Sequence, residues 1–295
     1  PRNGEVSVLI VENDQQASTK NVIDHHKDGF PFPLHHALET TPGIPFMRNR
    51  AFAEADRLGA DLLAFVDDDE EVTASWLDNL LENYRTSDAL LIGGPVLHKR
   101  PDTPLTPIQD AIFQAGADAV SERMAKRTEY AALGQTEKIN IFTHNWLGDM
   151  ALYRDHGLRF DETLAMTGGS ATQFFFHTVA KNLPTGWAPD AWAEEVQPVS
   201  RLNLGYQFRR ARDQELNSWT MQLARDLRFR PSRKTLVRRT FFSALGLIHR
   251  SCALPFRDYK GRRTYAVKLG KVIGRAMALA KRRSDLYAPS KQTGY

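Results

Sequence analysis

Leu62-Leu63-Ala64-Phe65-Val66-Asp67-Asp68-Asp69-Glu70 decides how this chain reads: a short apolar run of strand type stops abruptly in four acids. Carboxylates crowded at one strand end repel one another and raise each other's pKa unless a cation shares the site. A divalent metal is the simplest such cation, and hard oxygen donors favour Mg2+ or Mn2+, which commonly hold phosphate oxygens. In open α/β sheets ligands gather at the carboxyl ends of strands, so the position suits a substrate. The competing reading makes the acids the start of a helix over 71–84, where the helix dipole favours negative charge.

Working outward, Val6 to Val11 reads as a buried strand ending in Glu12-Asn13-Asp14, Ala17 to His26 as a short helix, and Leu34 to Leu38 as a second strand. Gly43-Ile44-Pro45 opens a helix with Pro in its tolerant first turn and Ile44, Met47, Ala51, Ala55 and Leu58 on one face. After the acid-tipped strand come a helix carrying Trp76, Leu80 and Leu81 and a strand from Ala89 to Gly93. This alternation predicts an α/β fold with a doubly wound, mostly parallel sheet. From about Leu204 the pattern becomes helical, with Phe241, Leu245, Ile248, Leu269, Ile273 and Met277 set between arginines and lysines.

The 295 residues carry a net charge of only +4, but residues 201–295 hold 23 Lys and Arg against 5 Asp and Glu. An acidic body therefore precedes a basic tail, a pattern that suits an anionic membrane surface, a nucleic acid or a solvated helical face. No nucleic-acid reading motif is present, so a membrane surface is the expected partner, with Phe241, Phe242 and Leu245 inserted and Arg238, Arg239 and Arg250 at headgroups. The best apolar run, Phe241 to Ile248, is well short of the roughly 20 residues that span a bilayer. Cys252 is the single cysteine, which excludes an intramolecular disulfide, fits a packing role and points to a reducing, cytoplasmic setting.

These motifs resemble, in order, those of family 2 glycosyltransferases of the GT-A fold, especially bacterial exopolysaccharide enzymes of the succinoglycan type. Val8-Leu9-Ile10-Val11-Glu12-Asn13 resembles the strand whose terminal acid meets the nucleotide base. Gly43 through Arg48-Asn49-Arg50-Ala51 is similar to the "G…RN.A" helix, and Phe65 to Glu70 to the DxD motif, with Trp76-Leu77 behind it. Leu158 to Glu162 resembles "GLRFDE", and Trp187-Ala188-Pro189-Asp190-Ala191 with Glu195 and Arg201 the "W.PDA…E.V…R" ending. The resemblance implies a GT-A domain over 1–203 that lacks the family's first strand before Val6, followed by a basic helical region over 204–295.

The resemblance further implies a metal-dependent inverting transfer of a sugar from a nucleotide-diphosphate donor to a polysaccharide or lipid-linked acceptor, peripheral at the inner face of the cell membrane. Asp69 and Asp67 would hold Mg2+ or Mn2+, Asp67 could instead touch the ribose, and Asp68 would support the turn. Glu12 or Asn13 would meet the base, and Arg48 would bind phosphate or pair with Asp67 or Asp68. Trp146, Asp149, Gly168, Gly169 and Trp192 would lie on the acceptor side, with His144 and His156 nearby. A nucleotidyltransferase would share fold and metal, but the glycine-rich phosphate loop expected of one is absent.

The chain departs from the family at the base. Gly168-Gly169-Ser170-Ala171-Thr172-Gln173 stands where Gly-Gly-Ser-Asp-Thr-Glu is expected, so Ala171 replaces the acid that takes the acceptor's proton. Either Glu194 or Glu195 does this work, or the chain binds donor or a partner without efficient transfer. The pairs His25-His26 and His35-His36 lack metal-ligand spacing and read as surface or packing residues.

Overall fold

The computed structural model describes residues 4–165, 168–224, 232–251, 253–254 and 257–282. In chain order the elements are β1 (Val8–Glu12), α1 (Lys20–Lys27), β2 (Leu34–Leu38), α2 (Ile44–Arg57), β3 (Leu62–Val66), β4 (Glu70–Val72), α3 (Trp76–Thr86), β5 (Leu91–Gly93) and β6 (Val96–Lys99). There follow α4 (Pro107–Ala132), β7 (Asn145–Asp149), α5 (Ala151–Arg154), α6 (Ser170–Ala180), β8 (Thr185–Trp187), β9 (Ala193–Val196), α7 (Leu204–Ala224), α8 (Arg233–Ser251) and α9 (Tyr259–Leu279). The chain forms two compact units, one of residues 1–96 and 126–193, the other of 97–125 and 194–295.

The first unit is α/β, as the alternating pattern predicts. Its strands β1 and β2 pair in parallel from Val8 with Leu34 to Glu12 with Leu38. A second sheet has the order β3-β7-β5-β8. Here β5 and β8 are parallel, whereas β7 runs antiparallel to both β3 and β5. That reversal matters for the site, because it returns the chain to the acid-tipped end of β3.

Behind the four-stranded sheet the core contains Leu80, Ile92, Leu147 and Ala191. A second group is aromatic: Phe52, Trp146, Phe160 and Phe174 are all buried. Phe160 and Phe174 stack with centroids 4.6 Å apart, and Trp146 meets Phe174 edge-on at 5.1 Å. Offset and edge-to-face contacts of this kind add about 0.5–1.5 kcal/mol per pair to the burial of the rings.

The acids do not open a helix. Glu70–Val72 is a strand, and the Trp76 amide bonds the Thr73 carbonyl at 3.0 Å, so a turn intervenes and α3 starts only at Trp76. The helix-dipole reading of the cluster is thereby removed, since Asp67 to Glu70 precede the first helical residue by more than a turn.

In the second unit β6 pairs with β9, and Ile112, Phe113 and Leu202 form a small core. The basic helices expected from 204 onward are α7, α8 and α9, and they share this unit with 97–125 and 194–203. Helix α9 lies on α7 through two glycines one turn apart. A Cβ at Gly270 would stand 2.4 Å from the Phe208 carbonyl oxygen, and one at Gly274 2.3 Å from that of Arg212. Only hydrogen fits there, so the backbones approach closely. Leu216, Trp219, Leu236 and Ala278 close the packing of α7, α8 and α9. Cys252, Pro255 and the side chain of Arg250 lie outside the described residues. Among the described residues no helix is long and apolar enough to cross a membrane.

Candidate functional site

The acid loop closes on itself at the end of β3. The Glu70 amide bonds the Asp67 carbonyl at 3.2 Å, and the Asp67 amide donates to the Glu70 carboxylate at 3.3 Å. The ladder between β3 and β7 ends with Val66 opposite Asn145. One step further along the antiparallel register, Asp67 faces His144, within the reach of cross-strand neighbours. Nδ1 of His144 is 2.8 Å from Oε1 of Glu70. The Glu70 side chain is only 2% exposed, and this burial pushes its carboxyl above the ordinary value; His144 acts against the rise and Asp67 adds to it.

Asp67, Glu70 and His144 each bring one ligand atom into a group in which all lie within 4.8 Å of one another. Two carboxylate oxygens and an imidazole nitrogen so placed form a donor set that a small divalent cation fits. The sequence points to Asp67 and Asp69 as the ligands. Asp67 takes part, Asp68 and Asp69 occupy the exposed turn, and Glu70 and His144 complete the set. His144 had no local signal, because only pairing with β3 carries it there.

Neighbouring polar residues fix the frame. Asn145 is buried, with Oδ1 accepting from Trp76 Nε1 at 2.9 Å and Nδ2 donating to the carbonyls of Pro95 and Ala191 at 2.8 and 2.7 Å. Trp76 of the "WL" pair thus pins α3 to the first residue of β7. Asn49 on α2 holds the segment after Arg159: its Nδ2 donates to Phe160 O and Glu162 Oε1, and its Oδ1 accepts from Phe160 N. Arg48, the expected phosphate ligand, places its guanidinium 5.6 Å from the centre of the Phe160 ring.

Glu12 and Asn13, expected at a nucleotide base, are instead bound into their own loop. The Glu12 carboxylate accepts from Ser18 Oγ at 2.6 Å, from the Thr19 amide and hydroxyl, and lies 3.0 Å from His36 Nε2. The Ser18 bond and then those of Thr19 and His36 hold its carboxyl down to about 2, against a smaller opposing effect of burial. Asn13 donates to the carbonyls of Glu39 and Thr41 and accepts from the Gly43 amide.

The acceptor-side expectations divide. Trp146 is 1% exposed within the aromatic core, so its ring is no platform for a sugar. Asp149 pairs with Leu62, at the far end of the ladder from Asp67, roughly 17 Å along β7. There it accepts from the Tyr84 hydroxyl, whose pKa is pushed up to about 12, and caps Ala151. Gly168 and Gly169, at φ of 77° and 95°, make the left-handed turn into α6, which begins at Ser170 and carries Ala171. Gln173 donates to Asp161 at 2.9 Å. Trp192 is half-buried.

Of the two glutamates considered as bases, Glu195 is held by Arg201 at 2.7 Å with both side chains largely buried. Glu194 is half-buried on β9.

No family model matches the chain. It is similar to a succinoglycan biosynthesis protein. That protein, ExoM of Rhizobium meliloti (strain 1021), is 27% identical over 215 residues, which cover 71% of this chain and 63% of the relative's length. The chain thus spans less than two thirds of that curated relative. Among solved structures, S. aureus TarS 1-349 in complex with UDP-GlcNAc aligns over 94% of this chain and 83% of its own, at a TM-score of 0.46 and 10% identity. The same protein in complex with UDP aligns over 90% and 80%, at 0.43 and 11%.

Proposed function

We propose that this chain is a family 2 type glycosyltransferase acting in exopolysaccharide assembly, with a nucleotide-diphosphate sugar as donor and a glycan or lipid-linked acceptor. The observation that carries the reading is the donor set of Asp67, Glu70 and His144 at the carboxyl end of β3. The ordered motifs and the similarity to a succinoglycan biosynthesis protein support it.

Asp67, Glu70 and His144 would hold Mg2+ or Mn2+, with Asp69 beside them in the same turn. When bound, such an ion supplies positive charge where the leaving diphosphate becomes more negative. The protein's own part is to keep that charge in place: the Asn145–Trp76 bond fixes the start of β7, and Asn49 fixes the Phe160 backbone. A lipid-linked acceptor would bring the protein to an anionic membrane surface.

A second reading, donor binding without efficient inverting transfer, is favoured by side chains of α6 and, separately, of β9. Ala171 carries no proton acceptor, the Gln173 amide is engaged with Asp161, and the Glu195 carboxylate is engaged with Arg201.

Calorimetry with UDP-, GDP- and TDP-sugars, with and without Mn2+, tests both readings. Binding of one donor that requires Mn2+ and is lost in Asp67→Asn is the expected result, and failure of every donor would overturn both. Transfer assays of the native chain and of Ala171→Asp then separate them. Turnover only in the variant would assign the native chain to the second reading.

A further inference from the structure

Helix α8 is apolar on two opposite sides, and one of them has no cover among the described residues. Its inner side carries Leu236, buried with Leu216, Trp219 and Ala278, and Leu247, buried one helical face away from solvent. Its outer side carries Val237, Phe241, Leu245 and Ile248, at intervals of four, four and three residues, which is a single stripe along a 3.6-residue helix. Phe242 flanks the stripe. These are large side chains left in water: Phe241 is 58% exposed, Phe242 63% and Ile248 65%. Such a continuous apolar patch marks a contact surface rather than scattered surface residues.

The charge around the stripe says what it contacts. Across α8 and α9 the sequence places eleven Lys and Arg and no Asp or Glu. Several are engaged within the unit: Arg275 bonds Glu215 and Ser243, Arg263 bonds Gln207, Lys260 pairs with Asp118, and Arg239 lies over Trp219. Lys234 and Arg238 are exposed and, at the helical angle of the stripe, border it directly. Between α8 and α9 runs a cleft of about 360 Å3, with Gly246 and Leu247 on one wall and Lys268, Lys271 and Arg275 on the other. Lys268 and Lys271, three residues apart on α9, stand exposed at its rim.

We infer that the outer face of α8 and the lysine-rimmed cleft beside it form one docking surface for an anionic lipid bilayer. The Val237–Ile248 stripe enters the acyl boundary, Lys234 and Arg238 reach the phosphates at its edge, and the cleft takes a lipid headgroup between Lys268 and Lys271. Apolar residues flanked by basic ones, on a helix that does not cross the membrane, are the pattern of an interfacial attachment. A protein partner with an apolar face answers the stripe alone, whereas the acyl chains and phosphates of a lipid surface answer the stripe and the basic rim together. The surface is independent of donor binding and of sugar transfer.

The test is sedimentation of the full chain with vesicles of phosphatidylcholine alone and of phosphatidylcholine mixed with phosphatidylglycerol. Binding to the mixed vesicles, weakening as salt rises, is expected. Phe241→Ser/Phe242→Ser weakens it at least about tenfold, and Lys268→Gln and Lys271→Gln about fivefold each. All four positions are exposed, so unchanged circular dichroism is the folding control. In Phe241→Trp, brominated lipid quenches the added fluorescence if the stripe is inserted. No binding to mixed vesicles, or equal binding by the native chain and the phenylalanine variant, overturns the inference. Self-association that the phenylalanine variant abolishes, without vesicle binding, would assign the stripe to a second copy of the chain.

Discussion

His144 and Glu70, 74 residues apart in sequence, meet at 2.8 Å beside Asp67 because β7 returns antiparallel along β3. The acid cluster is thus completed by an imidazole from the neighbouring strand. His144→Ala and Glu70→Gln are each expected to weaken Mn2+ binding by at least about 10–100-fold, since the loss of a group that merely orients a ligand already costs that much. Titration followed by electron paramagnetic resonance of free Mn2+ measures it. Native affinity in both variants would refute the donor set.

The buried amide of Asn145 serves three partners, so its loss strands a Trp76 N–H and two backbone carbonyls. Asn145→Leu should cost about 3 kcal/mol or more, at about 1–3 kcal/mol for each buried group left unmade. Urea unfolding reads this as a lower midpoint at unchanged slope.

Trp146 belongs to the core, not to the acceptor. Trp146→Ala should destabilise by roughly 3–5 kcal/mol, while Trp146→Phe, which keeps an aromatic ring, should leave donor affinity unchanged. A selective loss of acceptor affinity in Trp146→Phe, without loss of stability, would restore the sugar-stacking role.

His98 on β6 gives the second unit a pH dependence. Burial first, then Arg210, Arg263 and Arg123, push its pKa from 6.5 down to about 4, against the pull of Glu195. The unfolded chain therefore binds the proton more readily, so the stability from neutral His98 is complete above pH 6.5 and lost as pH falls toward 4. His98→Gln should flatten that part of the pH–stability curve. An unchanged slope between those values would show that His98 does not contribute.

Gly270→Ala and Gly274→Ala each drive a methyl into the backbone of α7. Overpacking of this kind costs about 1–3 kcal/mol, and thermal unfolding should register it in both. Equal stability of either variant would mean that α9 can move away from α7 at no cost.

Local pattern revealed local elements well. The spans of β1, β2 and β3 follow from apolar runs and their polar ends, and Pro45 marked the start of α2. It failed where pairing decides. Nothing near His144 shows that it belongs to the acid loop, and nothing near Asp149 shows that the same strand carries it to the opposite end of the ladder. Glu12 and Asn13 form the end of a strand, as the polar residues after the apolar run indicate, but their partners at 18–19, 36 and 39–43 come from the turn before α1, from β2 and from the loop after it, which local pattern does not join to them. The helix expected over 71–84 starts only at Trp76, because the acid of Glu71 suits a first helical turn but the β-branched Val72 continues the strand and the turn at Thr73 separates both from α3.

The register between β3 and β7 also orders events in time. His144 reaches Asp67 only when residues nearly eighty positions apart have found each other, a non-local contact of the kind that slows folding. A cation that needs all three donors has no site in the unfolded chain. If Mn2+ occupies the proposed site, it should leave the refolding rate untouched and slow unfolding, and its retention would then report whether a given molecule has finished folding.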